Sequence, residues 1–275
     1  MALNLIITAD DIERSKKLQN QERKDTSTSD NMFLGLVYVM LSAKEKYTRQ
    51  MIMYERLIKG GMTTPESIIA NRNNLSTIVK GLDKDKYLHR LAEWWPESDL
   101  FEVITNDLNN GRTEEFNIRN YIATHANGLS YKCASLFMNM CGYKNVVALD
   151  SWALKALVAE DYEIKSYCYK PENKPDNQEE DSDEKNNFNK KNKPTEKHAH
   201  NHLGKDIYMD RGITNKKEYL LYEKFFSDMV SKYNILYNLN FTPFDFKQIL
   251  WTKRSTWGEK FGNDPNQLTL NFDYS

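Results

Sequence analysis

Apolar residues in this chain recur mostly at intervals of three and four, the spacing that lines one face of an α-helix. Between residues 30 and 58, Met32, Leu36, Val39, Met40, Tyr47, Met51, Tyr54 and Leu57 predict one or two helices, and Gly60-Gly61 stops them. Thr64-Pro65-Glu66-Ser67 reads as a helix start, with threonine as cap and proline in the first position. Short helices follow over 75–79 and 84–95, the second stopped by Pro96. Tyr87, Leu88, Leu91, Trp94 and Trp95 recur at helical spacing, and such a stripe reads as core. Asn109-Asn110-Gly111 marks a turn. No run of alternating apolar and polar residues stands out, so the predicted class is all-α.

The pattern is most informative over residues 117–157. Ile118, Tyr121, Ile122 and His125 fall on one face of a short helix, which Gly128 ends. From Tyr131, a second helix places Cys133, Ala134, Phe137, Met138 and Cys141 together, and Gly142 sits where a C-terminal cap belongs. Helix, very short turn, helix is the expectation. The turn Asn127-Gly128-Leu129-Ser130 leaves backbone N–H groups unpaired at the second helix's start, where the helix dipole also favours an anion such as a phosphate. Lys132 lies in that first turn, where the dipole disfavours a cation. An ammonium partly desolvated there would lose its proton more easily, as a nucleophilic lysine requires. Asp150 follows the apolar run Val146-Val147-Ala148-Leu149 and precedes Ser151-Trp152-Ala153-Leu154. It is predicted to cap a third helix, fixed by backbone donors as a carboxylate.

Composition changes the picture in three places. The charges nearly cancel, 38 basic against 39 acidic side chains, which would argue against a nucleic-acid partner. However, the acidic residues concentrate in 172–184, so a basic face elsewhere remains compatible with the neutral sum. Residues 170–202 are rich in Lys, Asn, Asp, Glu and Pro with a single aromatic, too little apolar surface to offset the entropy of ordering. They are predicted to be a disordered insertion, and the alternating His198, His200 and His202 within it to be incidental rather than metal ligands. Cys133, Cys141 and Cys168 are too few and scattered for a disulfide framework or a four-thiolate cluster. No iron–sulfur cluster or other metal centre is expected. With neither a signal-peptide pattern nor an apolar run approaching about 18 residues, the expected setting is intracellular, without a membrane partner.

Order is predicted to resume at Gly212-Ile213-Thr214-Asn215, before a helix carrying Tyr219, Leu220, Tyr222, Phe225, Phe226 and Met229. Thr242-Pro243-Phe244-Asp245 then starts another over 246–251.

The string Gly128-Leu129-Ser130-Tyr131-Lys132-Cys133-Ala134-Ser135, followed by Gly142-Tyr143 and Ala148-Leu149-Asp150, resembles the helix-hairpin-helix and catalytic aspartate of one superfamily of DNA glycosylases. The resemblance is strongest to the second, largely archaeal and bacterial, family of 8-oxoguanine DNA glycosylase/AP lyases. Val39-Met40-Leu41-Ser42-Ala43 and the C-terminal helices resemble the same family, so that the likeness spans 32–257 apart from the insertion. It implies a two-lobed helical fold and a monomer acting on damaged double-stranded DNA. It assigns the nucleophile to Lys132, which would attack the sugar, and the supporting carboxylate to Asp150. The amides of Gly128, Ser130 and Tyr131 would hold the DNA backbone, with a monovalent cation as a candidate aid, and Arg119 is a candidate phosphate contact. Two departures stand out: Ser130 replaces a second hairpin glycine, at an expected conformational cost, and Trp152 stands where the family often has histidine. The terminal Gln267-Leu268-Thr269-Leu270-Asn271-Phe272 resembles the short motif that docks repair proteins on a sliding clamp, with Gln267, Leu268, Leu270 and Phe272 as its contacts.

The expected organisation is therefore an N-terminal extension (1–29), a helical core with hairpin and catalytic residues (30–165), a disordered charged insertion (166–208), C-terminal helices (209–260) and a tail (261–275). The expected activity is removal of an oxidised base, 8-oxoguanine first, through a lysine Schiff base and β-elimination. The alternatives are a non-catalytic DNA-binding module recruited to the clamp, and a glycosylase without lyase activity.

Overall fold

The computed structural model describes residues 5–22, 25–43, 45, 47–81, 83–160, 162, 164, 167–169, 197–200, 206–209, 213 and 216–253. Helices dominate them. The first seven are α1 (Ala9–Glu22), α2 (Ser29–Ser42), α3 (Tyr47–Lys59), α4 (Pro65–Ala70), α5 (Arg72–Ile78), α6 (Lys84–Trp94) and, after a 3-10 turn at Trp95–Glu97, α7 (Leu100–Asn109). Then come α8 (Glu115–His125), α9 (Tyr131–Met140), α10 (Ser151–Ala159), α11 (Lys216–Tyr237) and α12 (Pro243–Thr252). Both starts marked by Thr-Pro are capping boxes. The Thr64 hydroxyl accepts from Ser67 N–H and the Thr242 hydroxyl from Asp245 N–H, each reciprocated by the third residue's side chain.

Two hydrophobic clusters make two lobes. The first runs from Met32 to Val146 in sequence, with Phe33, Leu36, Met40, Leu88, Leu91, Ile122, Phe137 and Met138 at its centre. The second begins at Val147 and takes in α10, α11 and α12, with Leu157, Tyr222, Phe226, Phe246 and Ile249 buried together. The lobes thus part inside the apolar run before Asp150, and that carboxylate stands just beyond the crossing.

The N-terminal segment belongs to the second lobe. Leu5 is buried in that cluster, Lys253 Nζ donates to Ile6 O at 2.6 Å and pairs with Asp11 at 2.7 Å, and Gln19 Nε2 donates to Asp245 Oδ1 at 3.0 Å. α1 is therefore laid against α12.

Around the charged insertion, three short strands pair among the described residues. β1 (Tyr167–Tyr169), β2 (Lys197–His200) and β3 (Asp206–Met209) form an antiparallel sheet in the order β1-β3-β2, with Cys168 opposite Tyr208 and Ala199 opposite Ile207. Tyr-Cys-Tyr and Asp-Ile-Tyr-Met flank the charged stretch and carry the aromatic and β-branched residues that favour strands. Among the described residues, no helix is long and apolar enough to cross a membrane.

Candidate functional site

The hairpin forms as its glycine demands. α8 ends with Ala126 N–H on Ile122 O, and Leu129 N–H closes the turn on Ala126 O at 3.1 Å. Gly128 sits at φ +88°, and a Cβ there would come within 2.7 Å of Tyr87 Cγ on α6. Both backbone sign and crowding exclude a side chain. Ser130 lies at φ −84°, ψ 169°, ordinary extended backbone, and its hydroxyl caps α9 by accepting from Cys133 N–H at 3.4 Å. The cost expected for serine in place of glycine does not arise, because this position needs no left-handed conformation. Among the described residues, the N–H groups of Gly128, Ser130 and Tyr131 have no intramolecular acceptor, whereas that of Leu129 is used by the turn.

Lys132, second residue of α9, is exposed and makes no hydrogen bond or ion pair within the described residues. The partial desolvation expected for it is therefore not supplied by the protein itself. α9 ends in a Schellman arrangement, with Gly142 at φ +99°, Gly142 N–H on Asn139 O and Tyr143 N–H on Met138 O, both at 3.0 Å.

The segment leading to Asp150 is held by side chains from three helices, α8, α9 and α11, and by a backbone N–H of α12. Asn139 Nδ2 donates to Tyr143 O and Val146 O at 3.1 and 2.9 Å. The Glu115 carboxylate accepts from Asn145 N–H at 2.7 Å and Val146 N–H at 2.9 Å. Glu223 accepts from Val147 N–H at 3.3 Å, and Phe244 N–H donates to Lys144 O at 3.1 Å. The Tyr219 hydroxyl donates to Val147 O at 2.6 Å and accepts from Leu149 N–H at 3.4 Å. Burial pushes this phenol well above its ordinary value, so it stays a donor. Asp150 then caps α10: Oδ1 accepts from Trp152 N–H at 3.0 Å and Ala153 N–H at 2.9 Å, while Oδ2 lies 3.6 Å from Lys247 Nζ. The two helix starts thus differ: one carries a hairpin with open amides and an exposed lysine, the next a clamped carboxylate.

The family model described as 8-oxoguanine DNA glycosylase matches residues 13–171, more than half of the chain. The chain belongs to the 8-oxoguanine DNA glycosylase family. It is thereby a DNA glycosylase of helix-hairpin-helix type. Among solved structures, the 8-oxoguanine DNA glycosylase of Thermotoga maritima is similar at 14% identity and TM-score 0.51, covering 88% of this chain and 86% of that one. The Methanocaldococcus jannaschii 8-oxoguanine glycosylase/lyase, solved with a 15mer DNA containing 8-oxoguanine, matches at 16% identity and TM-score 0.46, covering 90% of this chain and 98% of that one. No curated protein matches. The likeness to Thermotoga extends over both lobes and agrees with the helical, two-lobed class.

Several site expectations change in this glycosylase. Arg119 is not a phosphate contact: it is 0% exposed, with Nη1 and Nη2 donating to the Glu223 carboxylate at 3.0 and 2.7 Å and Nη1 also to Ser135 Oγ at 3.1 Å. Its guanidinium lies 5.3 and 5.4 Å from the Tyr131 and Tyr219 ring centres. A cation so enclosed by a carboxylate and aromatic faces ties α8 and α9 to α11. His125, by contrast, is exposed and stacked on Tyr121, so the apolar face of α8 narrows to Ile118 and Ile122. Trp152 is core, buried in the second lobe with Lys155 Nζ 4.6 Å above its ring. Gln267, Leu268, Leu270 and Phe272 lie outside the described residues.

The contacts that Tyr219, Glu223 and Lys247 make at the site escaped the sequence reading. Only a lysine inside an otherwise apolar helix, Phe246-Lys247-Gln248-Ile249-Leu250, offered a signal, since an ionisable residue there needs a partner.

Proposed function

We propose that this glycosylase excises 8-oxoguanine and then cuts the strand as an AP lyase, with Lys132 as the nucleophile. The reading rests on one observation: Lys132 stands unattached at the start of α9, beside three backbone N–H groups without acceptors. Each buried lysine, by contrast, is engaged: Lys84 on Leu41 O and Glu45, Lys155 on the Trp152 ring, Lys247 on Asp150.

A backbone phosphate accepts from Gly128, Ser130 and Tyr131 N–H. The damaged nucleotide leaves the stack, and the closed DNA supplies the desolvation that the free protein lacks at Lys132. The neutral amine forms a bond to C1′ as the bond from C1′ to the base breaks, and the base departs with the electron pair and takes up a proton. Positive charge that develops on the sugar faces the Asp150 carboxylate. Ring opening gives a Schiff base between Lys132 and C1′, and loss of a C2′ proton expels the 3′ phosphate.

The test is incubation with duplexes carrying 8-oxoguanine, an abasic site or uracil, in the presence of borohydride. A covalent adduct is expected with the first two and not with uracil. No adduct with either of the first two overturns the lyase reading.

A further inference from the structure

Lys247 is the fifth residue of α12, set between Phe246 and Gln248, and its side chain is only 10% exposed. A lysine rarely sits so deep unless paired. Among the described residues its partner is Asp150, whose side chain is 17% exposed, with Nζ 3.6 Å from Oδ2. The other carboxylate oxygen is taken by Trp152 and Ala153 N–H. Asp150 is thus gripped on both oxygens, one by the helix it caps and one by a helix far along the chain.

We propose that Lys247 is a positioning residue for base release: its ammonium sets the rotation of the Asp150 carboxylate. Two N–H donors on one oxygen hold the carboxylate in place but leave its plane to turn about the side-chain bond. A cation on the second oxygen removes that freedom. It also draws negative charge to Oδ2, so the carboxylate serves as a fixed counter-charge to the sugar. The division of labour that follows is specific. Lys247 acts on the step that needs Asp150 and not on the step that needs only Lys132. This rests on the function proposed above, with Asp150 at base release.

The experiment compares wild type, Lys247→Met and Lys247→Arg in single-turnover reactions of the full chain. Methionine keeps the apolar stem and removes the charge, while arginine keeps a cation able to pair with a carboxylate. Base release from an 8-oxoguanine duplex is expected to fall on the order of 100-fold in Lys247→Met, the cost of a misplaced reacting group, and to recover most of that loss in Lys247→Arg. DNA affinity and borohydride trapping at a preformed abasic site are expected to stay near wild type in both variants. Unchanged base release in Lys247→Met overturns the proposal. So does a joint loss of base release, trapping and affinity that arginine does not restore, which marks a merely structural lysine. A wild type that neither releases base nor traps overturns the proposed function itself, and the role of Lys247 with it.

Discussion

The starts of α9 and α10 are both helix N-termini carrying a residue of the proposed chemistry, and they are built in opposite ways. At α9 the backbone makes the turn almost alone, with Gly128 at φ +88° and a serine cap, and Lys132 projects without a partner among the described residues. At α10 the approach is held by Glu115, Asn139, Tyr219 and Glu223, and Asp150 is fixed on both oxygens. A nucleophile must travel to form a bond, whereas a counter-charge is useful only where it already lies when charge develops. The contrast between a free lysine and a clamped carboxylate matches that difference in task.

Breaking the clamped side has the largest expected effect on stability. Glu223→Ala leaves Arg119 enclosed without its carboxylate and frees Val147 N–H, and is expected to cost about 3–5 kcal/mol in urea denaturation. A loss below 1 kcal/mol would show that the segment before Asp150 does not depend on this pair. On the hairpin side, Gly128→Ala combines a left-handed backbone with a clash on Tyr87, an expected cost of about 1–3 kcal/mol together with weakened DNA binding. Binding and stability both at wild-type level would remove the special role of that turn. Ser130 sharpens the comparison further. Ser130→Ala forfeits a cap and is expected to lose about 1 kcal/mol or less, while Ser130→Gly loses only a few tenths, because φ −84° suits either residue.

The smallest effect concerns the seam of α1 and α12. Burial would raise the Asp245 carboxyl, but bonds from Thr242 and Gln19 and the Lys144 charge outweigh it and hold the group below its ordinary value. Asp11 behaves alike, with Lys253 and Thr8 outweighing burial. A carboxyl lowered in the folded state contributes stability above its unfolded value, and that contribution fades as pH falls towards the folded one. Protection of α1 amides from hydrogen exchange is therefore expected to drop as pH falls below about 4. Protection that is flat with acid would contradict these pairings.

Much of the site was legible because it is local. The Gly128 turn, the Gly142 stop, the Asp150 cap and both Thr-Pro boxes each depend on residues within a few positions of one another, and spacing reports them. What spacing does not report is the partner of a buried charge. Arg119 reads as a surface cation until Glu223 arrives on α11, and Lys247 reads as a helix lysine until α12 is laid against α10. The same limit explains the N-terminal segment, whose charged sequence conceals a Leu5 buried in the second lobe and an α1 covering α12.

The most direct test of the free lysine and clamped carboxylate is borohydride trapping on two duplexes, one with 8-oxoguanine and one with a preformed abasic site. The account predicts that Lys132→Gln gives no adduct on either. Asp150→Asn is predicted to slow adduct formation on the 8-oxoguanine duplex by on the order of 100-fold or more while still trapping at the abasic site. Retained trapping in Lys132→Gln, or equal behaviour of Asp150→Asn on the two duplexes, would contradict it.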